Sequence, residues 1–525
     1  MKKAIGIILS IVLIMVLTLP AAAISSVAVK SITLDKSDIT LKPGESATLT
    51  ITYTPKNTTQ KLLTFVTDNK NVASINSNGK ITGVSKGTTT ITVSSSNKKI
   101  FARCKVTVVQ PEMKAGAKTI KFYTWEAVLK DQNKATIDAF QAKYPDIKVD
   151  IQYPVENDNV AYTQKIDLLL LSGDKIDCMM ESSVQKMTSK VDRKLYQPLN
   201  AFLKKEGKDY DKMYSVNASI GGSYYALPID VTTWFIIINK SMLDAAKLPL
   251  PGMTWSWDDY REYARKLTSG DGQNKIYGSY FHTWQNYDLM GVYSTKMDNA
   301  YYKKDGSLNF DDANLKGWLK FRYDMENVDK TSVPLMDIKT MKLAYRNQFF
   351  GGKVAMLPIG SWMLAEIKDT AKWPHDFQTT FAPLPVWGAN GVPGYTFSDT
   401  KMVSIPTNAK NPEEAYKFIR YYTTEGAHIR AGGLTAEKNV SVRKMLPSIV
   451  GNNPYKLYDI LPLLEIFNNP KLVNNAPLYA PPYNAEIDTM FVSECERYLV
   501  GGETLDQCIT NLQTQGKDIV KKYAK

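Results

Sequence analysis

The triplet Gly360-Ser361-Trp362 sets a large aromatic ring beside a turn of backbone. An apolar run of strand length, Val354 to Ile359, leads into it, and a helix-like segment from Trp362 to Lys372 follows. Gly360 removes a Cβ so that backbone can approach a ligand. Ser361 is placed to cap the helix, whose start leaves N–H donors beside the ring. Donors next to a flat apolar face suit a sugar, which has hydroxyl edges and a C–H face. The competing reading makes Trp362 a core aromatic behind a buried strand.

The elements that would face this ring lie earlier in the chain. Thr119 to Trp125 reads as a buried strand, Lys130 to Tyr144 carries helical spacing, and Pro145 to Tyr153 is a second strand. Tyr162 to Ser172 is another helix, followed by the strand Ile176 to Met180. Strand, helix, strand, helix, strand with short connections predicts a parallel sheet covered by helices. Open sheets of this kind bind ligands at the carboxyl ends of their strands, where Trp125, Glu126, Glu181 and Ser182 fall. Two carboxylates near one cleft, Glu126 and Glu181, are also the best pair here for glycoside hydrolysis. No further catalytic pattern supports them. His282, His375 and His428 lie far apart in unrelated contexts, and no G-x-S-x-G, H-E-x-x-H or P-loop occurs, so no catalytic residue, metal or cofactor is expected.

A chain of 525 residues exceeds one core and predicts about three folding units. The net charge of +13 is unevenly spread: residues 30–110 hold 12 Lys and Arg against four Asp and Glu, an excess of +8, while the remainder is nearly neutral. A basic module beside neutral bulk fits attachment to an anionic cell wall, whereas base reading calls for a nucleic-acid motif that is missing, so no nucleic-acid partner is expected. Lys2 and Lys3, the apolar run Ile5 to Leu19 and Ala21-Ala22-Ala23 form the parts of a secretory signal over residues 1–23, with no cysteine near the cleavage site for lipid attachment. The protein is therefore expected outside the cell or at its surface. Four cysteines do not make a disulfide scaffold. Cys495 and Cys508 sit symmetrically about the Gly501-Gly502 turn of a helical hairpin, either bridged or packed as free thiols.

Between Val27 and Val109 short segments alternate Thr with Val, Ile or Leu, among them Ser31 to Asp35, Ala47 to Tyr53, Thr89 to Val93 and Cys104 to Val109. Lys42-Pro-Gly-Glu, Asn78-Gly79 and Lys86-Gly87 interrupt them. That pattern predicts a β-sandwich. Through Ile39-Thr-Leu-Lys-Pro-Gly-Glu, Val72-Ala-Ser-Ile, Gly79-Lys-Ile-Thr-Gly-Val and Gly87-Thr-Thr-Thr-Ile-Thr-Val it resembles the bacterial Ig-like group 2 module, with Phe65-Val66-Thr67 where that family usually carries Trp.

From residue 118 onward the chain resembles the family 1 extracellular solute-binding proteins of ABC importers. The resemblance rests on Gly222-Ser-Tyr-Tyr-Ala-Leu-Pro-Ile-Asp, Phe235-Ile-Ile-Ile-Asn-Lys, Trp255-Ser-Trp-Asp-Asp-Tyr, Phe349-Phe-Gly-Gly-Lys-Val-Ala-Met, Gly360-Ser-Trp, Val403-Ser-Ile-Pro and Asn411-Pro-Glu-Glu-Ala-Tyr in that order. Together with the readings above, it makes a multidomain chain: a signal peptide over 1–23, an all-β Ig-like sandwich over 25–110, a linker over 111–117, and a two-lobed α/β periplasmic-binding-protein fold over 118–525. It further implies hinge closure on a sugar or oligosaccharide that is passed to permease subunits. A surface carbohydrate adhesin or scaffold and a glycoside hydrolase are the alternatives. In the maltose-binding branch the Trp after the Gly-x pair stacks on sugar, which maps to Trp362. That branch's acidic contact falls on Thr232 here, leaving Asp230 as the charged candidate. Its aromatic after the third strand is replaced by Glu181, a charge-assisted acceptor for hydroxyls. Trp284 is the second-lobe aromatic, either stacking or packing. Tyr483 lies in a Pro-rich loop that reaches the cleft in relatives, and Ser398 and Asp399 rank below it.

Overall fold

The computed structural model describes residues 27–523 except 111, 217, 294, 296–299, 304, 390, 439, 452–453, 470–471 and 476–480. The leader read over residues 1–23 lies outside the described residues. The N-terminal region is a β-sandwich. Asp38–Leu41, Phe101–Val108, Gly87–Ser95 and Leu63–Thr67 form one sheet, and Ser46–Thr48, Lys80–Gly83 and Ala73–Ile75 form another. Alternation drives the packing: Ile39 and Leu41 turn inward while Asp38 and Thr40 face water. The long strand expected over Ala47 to Tyr53 is broken in two. Ser46–Thr48 pairs with Lys80–Gly83, whereas Ile51–Thr54 pairs with Ser31–Leu34. The chain changes sheets at the buried Leu49, and the next N–H, of Thr50, is satisfied by Asp35 Oδ1 at 2.7 Å.

Beyond the sandwich the expected parallel core forms. Lys118–Tyr123 pairs in parallel with Ile147–Gln152 on one side and Cys178–Glu181 on the other. Helices Lys130–Lys143 and Asn159–Leu171 connect them. The second starts earlier than the apolar spacing indicates, because the Asp158 carboxylate accepts from the N–H groups of Val160 and Ala161.

Ala226–Asn239 is a single 14-residue strand, buried along its whole length. This crossing strand pairs antiparallel with Tyr395–Ser404, the return strand, up to Thr233. From Trp234 it pairs instead with Met356–Gly360, and from Phe235 with Thr379–Pro383. The handover divides the molecule into two lobes. The first lobe's core draws on Ile120 to Val231 and on Met402 to Ala436. The second lobe has two adjoining cores, built from residues between Trp234 and Phe397 and again, apart from Leu434, from Met445 to Leu512. The chain therefore passes between lobes three times.

The last two helices, Asn484–Leu499 and Leu505–Tyr523, form the expected hairpin around Gly501, whose φ of +79° suits glycine. Cys495 and Cys508 meet across it as two buried free thiols.

Candidate functional site

The crossing strand organises the site. With a period of two, Asp230, Thr232 and Trp234 share one face. Directly across from Asp230 on the return strand stands Lys401, whose Nζ lies 2.7 Å from Asp230 Oδ2 and 2.8 Å from Glu126 Oε1. Arg430, at the end of helix Glu425–Arg430, pairs with the other Glu126 oxygen and lies 3.8 Å from Asp230. Glu126, Asp230 and Arg430 are buried, so two carboxylates and two cations form a neutral cluster beside the handover. Burial pushes the Glu126 carboxyl up, but the Arg430 and Lys401 charges outweigh it and hold the group at about 2. The two carboxylates expected as open acceptors, Glu126 and Asp230, are thus engaged by the protein's own cations. Sequence reasoning missed both cations, since Lys401 and Arg430 lie 275 and 304 residues from Glu126 along the chain and carry no local signal.

The remaining first-lobe candidates are also enclosed. Glu181 ends the strand Cys178–Glu181, accepts from the Tyr196 hydroxyl, and takes a 3.3 Å hydrogen bond from the Lys190 ammonium. Trp125 packs against Tyr162 at 5.1 Å between ring centroids and belongs to the first-lobe core. The buried Ser182 hydroxyl has no partner among the described residues.

At the other end of the crossing strand, Gly360 pairs in register with Trp234. A Cβ on Gly360 would stand 2.0 Å from Cζ3 of Trp362 and 2.7 Å from Cγ2 of Thr232. The missing side chain therefore makes room for the Trp362 ring itself, folded back against Thr232, and the space expected for a ligand's approach is filled by the protein. Ser361 does not cap a helix. Its Oγ accepts from the Thr233 N–H at 3.3 Å, and its own N–H donates to the Thr233 carbonyl at 2.9 Å. The helix expected to reach Lys372 is only Met363–Glu366, with Trp362 at its start. Past it the chain is drawn aside, Lys368 donating to the Ser448 carbonyl and Asp369 closing a local turn onto Lys372.

Trp362 and Trp284 lie 5.9 Å apart, both partly buried on the rim of the two second-lobe cores. The Trp362 indole N–H donates to the Tyr345 hydroxyl at 3.2 Å, and Trp284 packs edge-on against Tyr345 at 5.4 Å and His282 at 4.6 Å. Thr232, Trp284 and Trp362 are thereby gathered into one neighbourhood with His282 and Tyr345. Tyr483 is placed elsewhere, against Tyr302 and Tyr523 at the start of the C-terminal hairpin. Ser398 is buried opposite Thr233, and Asp399 stands opposite Thr232 on the return strand.

Behind this aromatic wall a second buried charge group fixes its backbone. Arg322 holds Asp288 at 2.6 Å and Glu326 at 2.7 Å, and donates to the His282 carbonyl at 3.1 Å. Glu326 lies in a π-helical turn, Asp324–Val328, where the widened ladder turns its carboxylate toward Arg322 and the Leu335 N–H. One cation cannot neutralise two buried carboxylates, and burial pushes Asp288 up to about 7 and Glu326 up as well. A carboxyl raised above its unfolded value stabilises the fold when protonated, and that contribution is lost as pH rises through 7. His282, held at about 4 by burial and by Arg322 and Arg346, offsets about half of this because its unfolded form gains a proton on acidification toward pH 6. The net expectation is a solute-binding region about 0.5 kcal/mol more stable at pH 6 than at pH 8. Tryptophan-monitored urea melts at the two pH values check it, and an unchanged or lower stability at pH 6 would contradict it.

Two lobes joined by shared strands, with a rim of aromatic rings beside the handover, define a ligand-binding receptor fold. Residues 116–429 match the profile of the bacterial extracellular solute-binding protein family, and the chain belongs to that family. Residues 28–106 match the bacterial Ig-like domain, group 2. Among curated proteins, an uncharacterised lipoprotein of Streptomyces antibioticus is 27% identical over 216 residues, 39% of this chain and 44% of that protein. A kappa-carrageenase of Pseudoalteromonas carrageenovora is 44% identical over 72 residues, 14% of this chain and 18% of that enzyme, a stretch about as long as the Ig-like match. The matches span less than half the length of either relative. Solved structures similar in fold include a sugar transporter of Rhizobium etli in an open conformation, 23% identical with a TM-score of 0.61 over 76% of this chain and 98% of that one. An ABC substrate-binding protein of Listeria monocytogenes in complex with cycloalternan is 19% identical with a TM-score of 0.63 over 77% and 98%. UgpB of Mycobacterium tuberculosis in complex with glycerophosphocholine is 18% identical with a TM-score of 0.63 over 78% and 100%.

Proposed function

We propose that this protein captures a sugar or oligosaccharide between its two lobes and delivers it to the membrane permease of an ABC importer. The observation that carries the reading is the pair of partly buried indoles, Trp284 and Trp362, set 5.9 Å apart beside the strand on which the lobes join. The part of each ring left uncovered offers apolar surface to the C–H faces of a sugar, and nearby polar groups can meet its hydroxyls. A ligand that touches both lobes has more contact free energy with a closed arrangement than with an open one, so binding drives closure. The carboxylates that a hydrolase would need as acid and nucleophile are instead tied up by Lys401, Arg430, Lys190 and Tyr196. Support also comes from fold relatives whose described complexes hold cycloalternan or maltose.

The test is a thermal-shift and tryptophan-fluorescence screen of the full chain against maltose, maltotriose, mannotriose, cycloalternan and glycerophosphocholine. A sugar at a hundred times its dissociation constant stabilises by about 2.7 kcal/mol. Silence from every sugar would remove the carbohydrate reading, and a response to glycerophosphocholine alone would move the ligand to the phosphodiester class.

A further inference from the structure

We infer that His282 is a ligand-binding residue, its Nε2 accepting a hydrogen bond from a ligand hydroxyl beside the Trp284 and Trp362 rings. The inference deepens the sugar-receptor reading and rests on it. It begins with proton accounting. The Tyr280 hydroxyl donates to the Leu343 carbonyl at 2.8 Å, which uses its single proton. The 2.8 Å contact between that same hydroxyl and His282 Nδ1 must then be donated by the imidazole. Nδ1 carries the hydrogen, and Nε2 is left with its lone pair.

No described residue donates to Nε2, and the atom is not enclosed. The ring is held from several sides. Its backbone carbonyl accepts from Arg322 at 3.1 Å, and Trp284 and Tyr345 pack edge-on at 4.6 and 5.3 Å. A fixed acceptor at the edge of an aromatic wall is a preorganised recognition element.

Charge narrows what it recognises. Burial together with the Arg322 and Arg346 guanidiniums pushes His282 down to about 4, so the ring is neutral and accepts at physiological pH. Both guanidiniums are themselves paired, Arg322 with Asp288 and Glu326 and Arg346 with Glu366, so the choice of a neutral donor follows from the sugar reading. That donor is the free hydroxyl of a polyol or sugar, placed so that the neighbouring ring face can stack on an indole. An ether or methylated oxygen at that position has no proton to give and is rejected.

The experiment uses the full chain and the sugar from the panel of maltose, maltotriose and mannotriose that binds it. Long-range proton–nitrogen spectra, with His375 and His428 assigned by substitution, report the tautomer directly. The expected result is a pyridine-type Nε2 on His282 that shifts toward the hydrogen-bonded range at saturation while the other two histidines stay still. His282→Phe, which keeps a ring without the acceptor, is expected to lose about tenfold in affinity by calorimetry, while His282→Gln, whose amide oxygen reaches near the Nε2 position, loses less than about threefold. If wild-type protein binds sugar and His282→Phe binds equally well, the inference falls and the receptor reading stands. Equal losses in both variants with a stationary Nε2 resonance would reduce His282 to packing. If no sugar binds the wild-type chain, both fall together.

Discussion

Replacing Arg430 by Met lowers the stability of the solute-binding region by about 3–5 kcal/mol, because Glu126 and Asp230 stay buried with only Lys401 between them. Urea unfolding followed by tryptophan fluorescence isolates this region, since all nine tryptophans lie between Trp125 and Trp387 and none lies in the Ig-like part. Adding Glu126→Gln to Arg430→Met recovers most of the loss, since the uncompensated charge goes with it. The deficit of the single variant also narrows on acidification toward pH 4. Glu126, no longer held at about 2 by Arg430, then takes up a proton in the ordinary carboxylate range. A single variant within 1 kcal/mol of the parent would show that these charges are hydrated rather than mutually dependent.

Gly360→Ala is expected to weaken sugar binding by more than tenfold and to cost about 1–3 kcal/mol of stability, the usual penalty of an overpacked site. The added methyl lands on the Trp362 ring at 2.0 Å and on Thr232 Cγ2 at 2.7 Å. Met356–Gly360 is hydrogen-bonded to the crossing strand and cannot retreat, so the indole must swing away and leave Tyr345 and Trp284. Calorimetric titration of Gly360→Ala, Trp362→Ala and the double variant separates cause from coincidence. If the methyl acts only through the ring, the double variant binds no worse than Trp362→Ala alone. Wild-type affinity in Gly360→Ala would show that Trp362 does not touch the ligand.

Much of the architecture was readable because its causes are local. Ile39 and Leu41 alternate with polar neighbours, and the helical spacing read over Lys130 to Tyr144 forms the helix Lys130–Lys143. The strand and helix order after residue 118 gave the parallel sheet for the same reason. The site was legible only in part. Trp362, Trp284 and Thr232 were singled out and do come together, but the purpose of Gly360 could not be seen, because a ring doubling back over its own strand is a tertiary event. Ser361 has the composition of a cap and the surroundings of a strand-pairing residue, and the crossing strand decides between them. Glu126 and Asp230 looked open because the cations that hold them are remote in sequence, and the basic residue nearest Glu126, Lys130, pairs with Glu156 instead. Their partners arrive from the return strand and from a helix end far downstream.

The three passages between lobes also order events in time. The first lobe's core holds Ile120 to Val231 together with Met402 to Ala436, and the second lobe's residues Trp234 to Phe397 are spliced between them. As the chain emerges, the first lobe must wait, with Glu126 and Asp230 uncompensated, until Lys401 and Arg430 have followed. The second lobe in turn waits for the hairpin that ends at Tyr523. Neither lobe is a contiguous stretch that can be cut out and expressed alone, whereas the Ig-like sandwich is complete by Val108 and free to fold while the rest is still arriving.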